Sequence, residues 1–223
     1  NYRKAGKTDA EIATILKEDF RISDQKIALM KAIVERQLMI IPDLDELGRE
    51  ISIYIGVPFC PTMCAYCTFP AYAIQSNRKA GRVDKFIDGL HIELQEMGKW
   101  LTKKNMRITS IYWGGGTPTS IEAHEMDALY KTMFDAFPNP QSIREITVEA
   151  GRPDTITPEK IEVLKKWGID RISVNPQSYT QETLKAIGRH HTVEETVDKF
   201  WLSREMGMNN INMDLILGLP GEG

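Results

Sequence analysis

Five short apolar runs alternate with longer segments whose apolar residues recur at helical spacing, and that alternation limits the folds open to this chain. The runs cover residues 51–57, 108–113, 145–149, 171–174 and 211–217 and are rich in β-branched side chains. After the first run, Val83, Phe86, Ile87, Leu90, Leu94, Met97 and Leu101 form the buried stripe of a long amphipathic helix. Met126, Leu129, Tyr130, Met133, Phe134 and Phe137 mark the next helix. Thr157-Pro158 opens a third at a favourable cap and first position, and Gly168 closes it. A short helix around Leu184 and Ile187 ends at Gly188, and Thr192-Val-Glu-Glu195 boxes a last one that closes near Gly207. Strands separated by helices cannot pair as hairpins. They pair in parallel with the crossover helices on one side, and right-handed crossovers roll such an α/β sheet towards a barrel. The 223 residues suffice for one sizeable core.

Residues 1–50 follow a different pattern. Thr8-Asp-Ala-Glu11 is a capping box ahead of Ile12, Ile15 and Leu16. Ser23 caps a second helix with Ile27, Met30, Ile33, Val34 and Leu38 on one face. Two short helices could form a helix-turn-helix DNA reader, but acids and bases are mixed along both, which favours a helical hairpin packed on the main domain. A net charge of −3, from 28 basic and 31 acidic side chains, also argues against a nucleic-acid surface. Pro42 and the acidic Asp43-Leu-Asp-Glu46 mark a linker. The expected division is a helical segment and linker over residues 1–50 and a main domain over 51–223. The chain starts at Asn1 and stops at Leu219-Pro-Gly-Glu-Gly223, and both ends read as cut from something longer. No apolar run reaches the ~18 residues of a membrane span, and no signal peptide opens the chain.

All three cysteines lie within eight residues, at spacing C-x3-C-x2-C, in Cys60-Pro-Thr-Met-Cys64-Ala-Tyr-Cys67 just after the first run. Three thiolates this close can hold three corners of an iron–sulfur cube. The fourth iron then has no ligand from this chain and is open to a small chelate. A structural zinc site wants a fourth Cys or a His at short range, and the nearest downstream histidine is His91. The odd count speaks against disulfides, and clustered thiols imply a reducing, cytosolic setting. Unrelated buried cysteines scatter through a sequence, and these do not.

In β/α barrels, chemistry gathers at the C-terminal ends of the strands. The second run ends in Trp113-Gly-Gly-Gly-Thr-Pro118. Its glycines expose backbone groups and suit docking of an amino-acid moiety; a plain turn is the weaker alternative even when the stretch is read alone. It is neither a P-loop, because no Gly-Lys-Ser/Thr follows, nor a G-x-G-x-x-G fingerprint. The third run ends in Glu149, followed by Ala150-Gly-Arg-Pro153, and the fourth in Asn175-Pro-Gln177, with Arg189 twelve residues on. The fifth carries Asp214 in an otherwise apolar run, a costly place for an acid without a partner. Each alone reads as an ordinary salt bridge; four at successive strand ends read as a site. His91, His124, His190 and His191 carry no clear signal, and the last two read as a solvated turn.

With Tyr66 before its last cysteine, the Cys60, Cys64, Cys67 motif resembles the radical S-adenosylmethionine (SAM) superfamily. Tyr54-x-Gly-Val-Pro-Phe-Cys60, Trp113-Gly-Gly-Gly-Thr-Pro-Thr119, Arg171-Ile-Ser-Val-Asn-Pro-Gln-Ser178 and Asp214-Leu-Ile-Leu-Gly-Leu-Pro-Gly221 narrow the resemblance, over roughly residues 50–223, to the oxygen-independent coproporphyrinogen III oxidase family. The helical prelude resembles its HemZ-type branch. The resemblance implies a partial (β/α)6 TIM-like barrel of the radical SAM type, cut after the fifth strand and preceded by a short helical segment. It implies a [4Fe–4S] cluster on Cys60, Cys64 and Cys67. It also implies SAM contacts at Tyr54, Tyr66, Gly115, Gly116, Thr117, Glu149, Gln177, Arg189 and Asp214, with the glycine loop on SAM's amino group and catalytic roles for Tyr54 and Glu149.

The activity implied is that of a cytoplasmic oxidoreductase of haem biosynthesis. Reductive cleavage of SAM would give a 5′-deoxyadenosyl radical, and that radical would drive oxidative decarboxylation of coproporphyrinogen III to protoporphyrinogen IX. The implied partners are the tetrapyrrole substrate and an electron donor such as flavodoxin or ferredoxin. One position departs from the pattern. Decarboxylating members carry a further cysteine two residues after the third, where this chain has Phe69. The related haem-chaperone branch lacks it too. A haem chaperone that retains the iron–sulfur and SAM site, or another tetrapyrrole-modifying radical SAM enzyme, is therefore the alternative.

Overall fold

The apolar runs pair in parallel, in the order in which they occur along the chain. A computed structural model describes residues 2–44, 48–219, 221 and 222, and the chain divides into two compact units, Asn1–Arg49 and Glu50–Gly223.

The first unit holds α1 (Asp9–Glu18) and α2 (Asp24–Ile40). Thr8 and Glu11 close the expected reciprocal capping box, and Ser23 accepts the Lys26 N–H. The stripe expected on α2 does not become a core: among the described residues, neither helix has a buried side chain. Ile27, Met30, Val34 and Leu38 line a groove of about 770 Å³ with Ile12 and Leu16. Ile33 lies off that groove and is exposed. Two short helices share only one seam, too little to enclose either face. Part of the expected linker, Asp45 and Glu46, lies outside the described residues.

The second unit runs β1 (Glu50–Val57), β2 (Phe59–Cys60), β3 (Tyr72–Ala73), α3 (Ile74–Lys79), α4 (Arg82–Lys104), β4 (Arg107–Gly115), α5 (Ala123–Ala136), β5 (Glu145–Glu149), α6 (Pro158–Lys166), β6 (Arg171–Ser173), α7 (Gln181–Ala186), α8 (Val193–Glu205) and β7 (Asn210–Asn212). The main sheet has the order β1-β4-β5-β6-β7, every pair parallel, which is the sequential order of a β/α barrel wall.

The period-two pattern divides the sheet. Ile55, Val57, Ile111, Trp113, Ile146, Val148, Ile172 and Val174 join one continuous core with Leu90, Leu94 and Leu101 of α4, Met126, Leu129 and Met133 of α5, and Ile161 and Leu164 of α6. Trp113 meets Tyr130 edge-on at 5.0 Å. Truncating one of these side chains to alanine costs ~2–5 kcal/mol, the lost burial plus the cavity left behind. The residues between them face the other way, and Tyr54, Tyr112, Thr147, Arg171 and Asn210 stand in one cross-strand row. That second face is polar and carries the candidate site.

Three expectations change. Met97 is exposed, and Gly98 takes the buried place on α4. Position 98 lies four residues after Leu94 and three before Leu101, so it falls on the stripe, but a Cβ there would meet the Ala136 carbonyl oxygen at 2.2 Å. The α4–α5 crossing is too close for a side chain. The fifth strand is also shorter than expected. β7 ends at Asn212, and among the described residues an isolated Gln177–Leu215 bridge is what continues the pairing. Its partner β6 runs into Pro176, which has no N–H to offer a ladder. Asp214 is therefore not inside a buried strand; it lies beyond β7 and is exposed. Finally, the two-residue strands β2 and β3 form a small separate sheet that places Cys60 beside Ala73.

Candidate active site

At the end of the β1–β4 pair, the three glycines bring backbones into contact. Two of them belong to β4 rather than to a loop, opposite Gly56 and Val57. Gly115 has φ +110°, and a Cβ on it would lie 2.9 Å from both Val57 N and Val57 O. A Cβ on Gly116 would lie 2.7 Å from Phe59 O and 3.0 Å from Cys60 Sγ, and one on Gly114 would lie 2.8 Å from the Tyr54 hydroxyl. Two amides are spent on this stitching. Gly116 N–H donates to Val57 O and Thr117 N–H to Phe59 O, each at 2.8 Å, while the Gly115 amide lies near enough to the Glu149 carboxylate to favour its charged form. Thr117 is itself buried, with Oγ1 3.4 Å from Cys60 Sγ. Two of the backbone donors that the glycine loop was expected to display, those of Gly116 and Thr117, are thus taken. A ligand ammonium asks for acceptors, so this does not remove the loop from the site.

The three cysteines are free thiols; Cys60 and Cys64 are partly buried and Cys67 is exposed. Burial pushes the Cys60 thiol pKa up, against the Thr117 hydrogen bond and the Arg152 charge that pull it down. The turn after α7 holds the loop from outside: Thr62 Oγ1 donates to Gly188 O and Ala65 N–H to Ile187 O, each at 2.9 Å. Tyr66 packs on Leu184, Ile187 and Leu219. Burial raises its pKa, against the neighbouring Arg189 charge. Arg152, 2% exposed, reaches Thr62 with both terminal nitrogens.

Beside the loop lies the polar face of the sheet. Tyr54 is 57% exposed and stacks on Tyr112 at 5.8 Å with the rings 11° apart. Tyr112 donates its hydroxyl to Glu149 Oε1 at 2.6 Å. Burial lifts the Glu149 pKa, the Asp214 charge adds to the rise, and the Tyr112 and Gly115 donors oppose it. Asp214 and Asn175 bind each other twice, Asn175 Nδ2 to Asp214 Oδ2 at 2.9 Å and Asp214 N–H to Asn175 Oδ1 at 3.2 Å. Gln177, buried at φ +65°, donates its N–H to Asp214 O. Arg189 is buried, with Nη1 on the carbonyls of Gly151 (3.1 Å) and Asn175 (2.8 Å). Its Nε is buried and has no partner among the described residues.

The structure thus brings Tyr54, Gly115, Gly116 and Glu149 together at one end of the sheet, with Gln177 and Asp214 just beyond the following strands and Arg189 reaching the Gly151 and Asn175 carbonyls from the turn after α7. Tyr112, Asn175, Arg152 and Thr62 were not singled out from the sequence. The signal for Tyr112 was its place two residues before Gly114 on the same strand face as Tyr54. Arg152 had none, since an arginine between strand and helix reads as a surface residue. His190 is exposed, but His191 is not part of a solvated turn. It is fully buried, neither ring nitrogen has a hydrogen-bond partner among the described residues, and burial beside Arg189 lowers its pKa to about 4.

This donor set fits a three-thiolate iron–sulfur cluster with SAM. The thiols are soft ligands. Among the described residues, no three His, Cys, Asp or Glu side chains close in around a single metal ion, and a cube takes each thiolate on a separate iron. The unpartnered buried Arg189 Nε is a charged donor suited to a ligand carboxylate.

The model of the radical SAM superfamily matches residues 54–223. The chain is 63% identical over 220 residues to the oxygen-independent coproporphyrinogen-III oxidase-like protein HemZ of Bacillus subtilis, covering 99% of this chain and 44% of that protein. It is 36% identical to the heme chaperone HemW of Bacillus subtilis, over 77% of this chain and 43% of that protein. The solved structure of coproporphyrinogen III oxidase HemN from Escherichia coli, a radical SAM enzyme, superposes with a TM-score of 0.67 at 27% identity, over 78% of this chain and 38% of that one. The chain therefore spans less than half the length of these relatives. No helix among the described residues is long and apolar enough to cross a membrane. The chain belongs to the radical SAM superfamily, whose cofactors are a [4Fe–4S] cluster and SAM, and within it to the coproporphyrinogen III oxidase-like group.

Proposed function

We propose that the complete protein is a cytoplasmic radical SAM enzyme that converts two propionate side chains of coproporphyrinogen III to vinyl groups, giving protoporphyrinogen IX. The observation that carries this reading is the gathering of Tyr54 on β1, Glu149 at the end of β5, Gln177 and Asp214 just beyond β6 and β7, and Arg189 just after α7, together with three free thiols on the segment that follows β1. Cys60, Cys64 and Cys67 hold the cluster. Arg189 takes SAM's carboxylate, Gly115 and Gly116 border its amino group, Glu149 and Asp214 accept from its amino and ribose groups, and Tyr54 and Tyr66 flank it. When bound, the cluster and SAM supply one-electron chemistry that ends in a hydrogen-abstracting 5′-deoxyadenosyl radical. Each propionate loses one hydrogen atom, one electron and CO2, and the electron passes to a separate acceptor. A flavodoxin- or ferredoxin-type donor supplies the reducing electron. The chain's own contribution is to orient and to keep the reacting groups out of water.

A specific observation favours a second reading. Phe69 stands where decarboxylating relatives carry a cysteine, and the identity to a heme chaperone, 36%, exceeds the 27% to the solved oxidase. The test is an anaerobic assay of the complete protein with a strong reductant, SAM and coproporphyrinogen III. The enzyme reading expects 5′-deoxyadenosine and protoporphyrinogen IX to rise together, in a ratio near two to one if each propionate uses one SAM. Stable haem binding, with SAM cleavage that coproporphyrinogen does not stimulate, would establish the chaperone instead.

A further inference from the structure

Arg152 is left over once the SAM-facing residues are assigned. It follows β5, three residues after Glu149, yet its guanidinium turns to the cysteine loop. A charge buried this deeply needs acceptors for its donors. Asp154 takes Nε on Oδ1 and Nη2 on Oδ2, each at 3.2 Å. Thr62 takes Nη2 on Oγ1 at 3.0 Å and Nη1 on its carbonyl at 3.2 Å. Nη1 also lies 3.7 Å from Cys64 Sγ. The two partners of the ion pair are not equally shielded: the Arg152 side chain is 2% exposed and that of Asp154 is 23%. Water screens the acid more than the base, and the balance beside the thiols is positive.

We propose that Arg152 is a positioning residue that holds Cys64 and raises the reduction potential of the cluster site by placing a fixed N–H donor and a positive charge against its sulfur. The proposal rests on the reading that the three thiols carry a cluster. Reduction adds a negative charge to a group already ligated by thiolates. A buried cation and an N–H···S contact stabilise that more negative state, and such contacts are among the factors that set cluster potentials. Lysine at this position would keep the charge but not the planar fork that spans Asp154, Thr62 and Cys64 at once.

The test uses the complete protein, reconstituted anaerobically as wild type, Arg152→Lys and Arg152→Met. Iron per chain and an EPR-monitored redox titration without SAM are the readouts. A purely structural clamp would alter iron retention or melting and leave the midpoint of iron-replete protein alone. The expected result is a roughly tenfold less favourable reduction equilibrium in Arg152→Met, about 59 mV lower for a one-electron couple, with a smaller fall in Arg152→Lys. If the methionine variant does not fold or keeps no iron, the lysine variant decides by the same readout. An unchanged or raised midpoint in iron-replete variants overturns the proposal. Wild type that takes up no iron would instead remove the cluster assignment on which it rests.

Discussion

Gly168 and Gly188 end α6 and α7 with the same local geometry, and their difference isolates what the cysteine loop demands of its neighbours. Each follows the C-cap residue, at φ +64° and +78°. Each donates its N–H three residues back, to Lys165 O and Lys185 O, and the next residue donates five back, to Leu164 O and Leu184 O. Alanine in the left-handed region costs ~1–2 kcal/mol at either site. At Gly168 nothing lies within 4 Å of the added Cβ, so the cost stops there. At Gly188 the Cβ would sit 2.8 Å from the Met63 carbonyl oxygen, on the cysteine loop itself. Crowding of that kind adds ~1–3 kcal/mol. Gly168→Ala is thus expected to lower Tm by the strain alone, by no more than about 2–4 °C per kcal/mol, the figure for a chain of 150–250 residues. Gly188→Ala either falls further or, if the loop gives way, loses iron uptake and exchanges the Ala65 amide faster, because that amide bonds Ile187 O. Thermal melts, iron per chain after reconstitution and hydrogen exchange on the complete protein read all three. Identical behaviour of the two variants in every readout would refute the docking of the loop on the α7 turn.

Glu149→Gln should stabilise the ligand-free protein while weakening SAM binding. The folded pKa of Glu149 is raised, so its favourable contribution is fully present below the ordinary carboxylate pKa and is lost as pH rises through the raised value. The stability gap between variant and wild type should therefore close in acid and open towards neutrality; a gap that widens in acid would contradict the burial argument. Arg189→Ala should weaken SAM binding roughly ten- to a hundredfold, the loss of a charge-assisted hydrogen bond of ~1.5–3 kcal/mol, with iron content intact. Equilibrium dialysis that finds unchanged SAM affinity would take Arg189 out of the site.

The sheet and its helices were legible because burial follows two different periods, two along Ile55–Val57 or Ile146–Val148 and near four along Leu90–Leu94. The cofactors were legible because the cysteines that carry the superfamily's motif are neighbours in sequence. What failed depends on partners far along the chain. Arg152 is buried by residues 88 and 90 positions away, and nothing near it in sequence announces that. The fifth strand was drawn too long because Leu215 and Leu217 look like core, yet Leu217 is 93% exposed. A strand extends only as far as its neighbour supplies ladder partners, and Pro176 stops β6. Met97 gave way to Gly98 for a related reason: the period chose the position, but the distance to α5 chose the residue.

The clamps on the cysteine loop and the residues assigned to SAM are neighbours on the same three segments. Gly115 ends β4 and Gly116 follows it, where Gly116 and Thr117 also hold the β1–β2 backbone and Cys60. Glu149 ends β5, and Arg152, three residues on, grips Thr62. Arg189 follows α7, and Gly188 before it receives the Thr62 hydroxyl. Tyr66 closes the circuit from the loop side, packed on the helix that Arg189 follows. On the proposed assignment, a displacement of the loop large enough to miss one iron corner also moves a SAM contact on each of the three segments. Cluster loading and SAM affinity should then fall together in loop-docking variants such as Gly188→Ala, whereas Arg189→Ala, which removes a ligand contact and leaves the Gly188 carbonyl in place, should separate them.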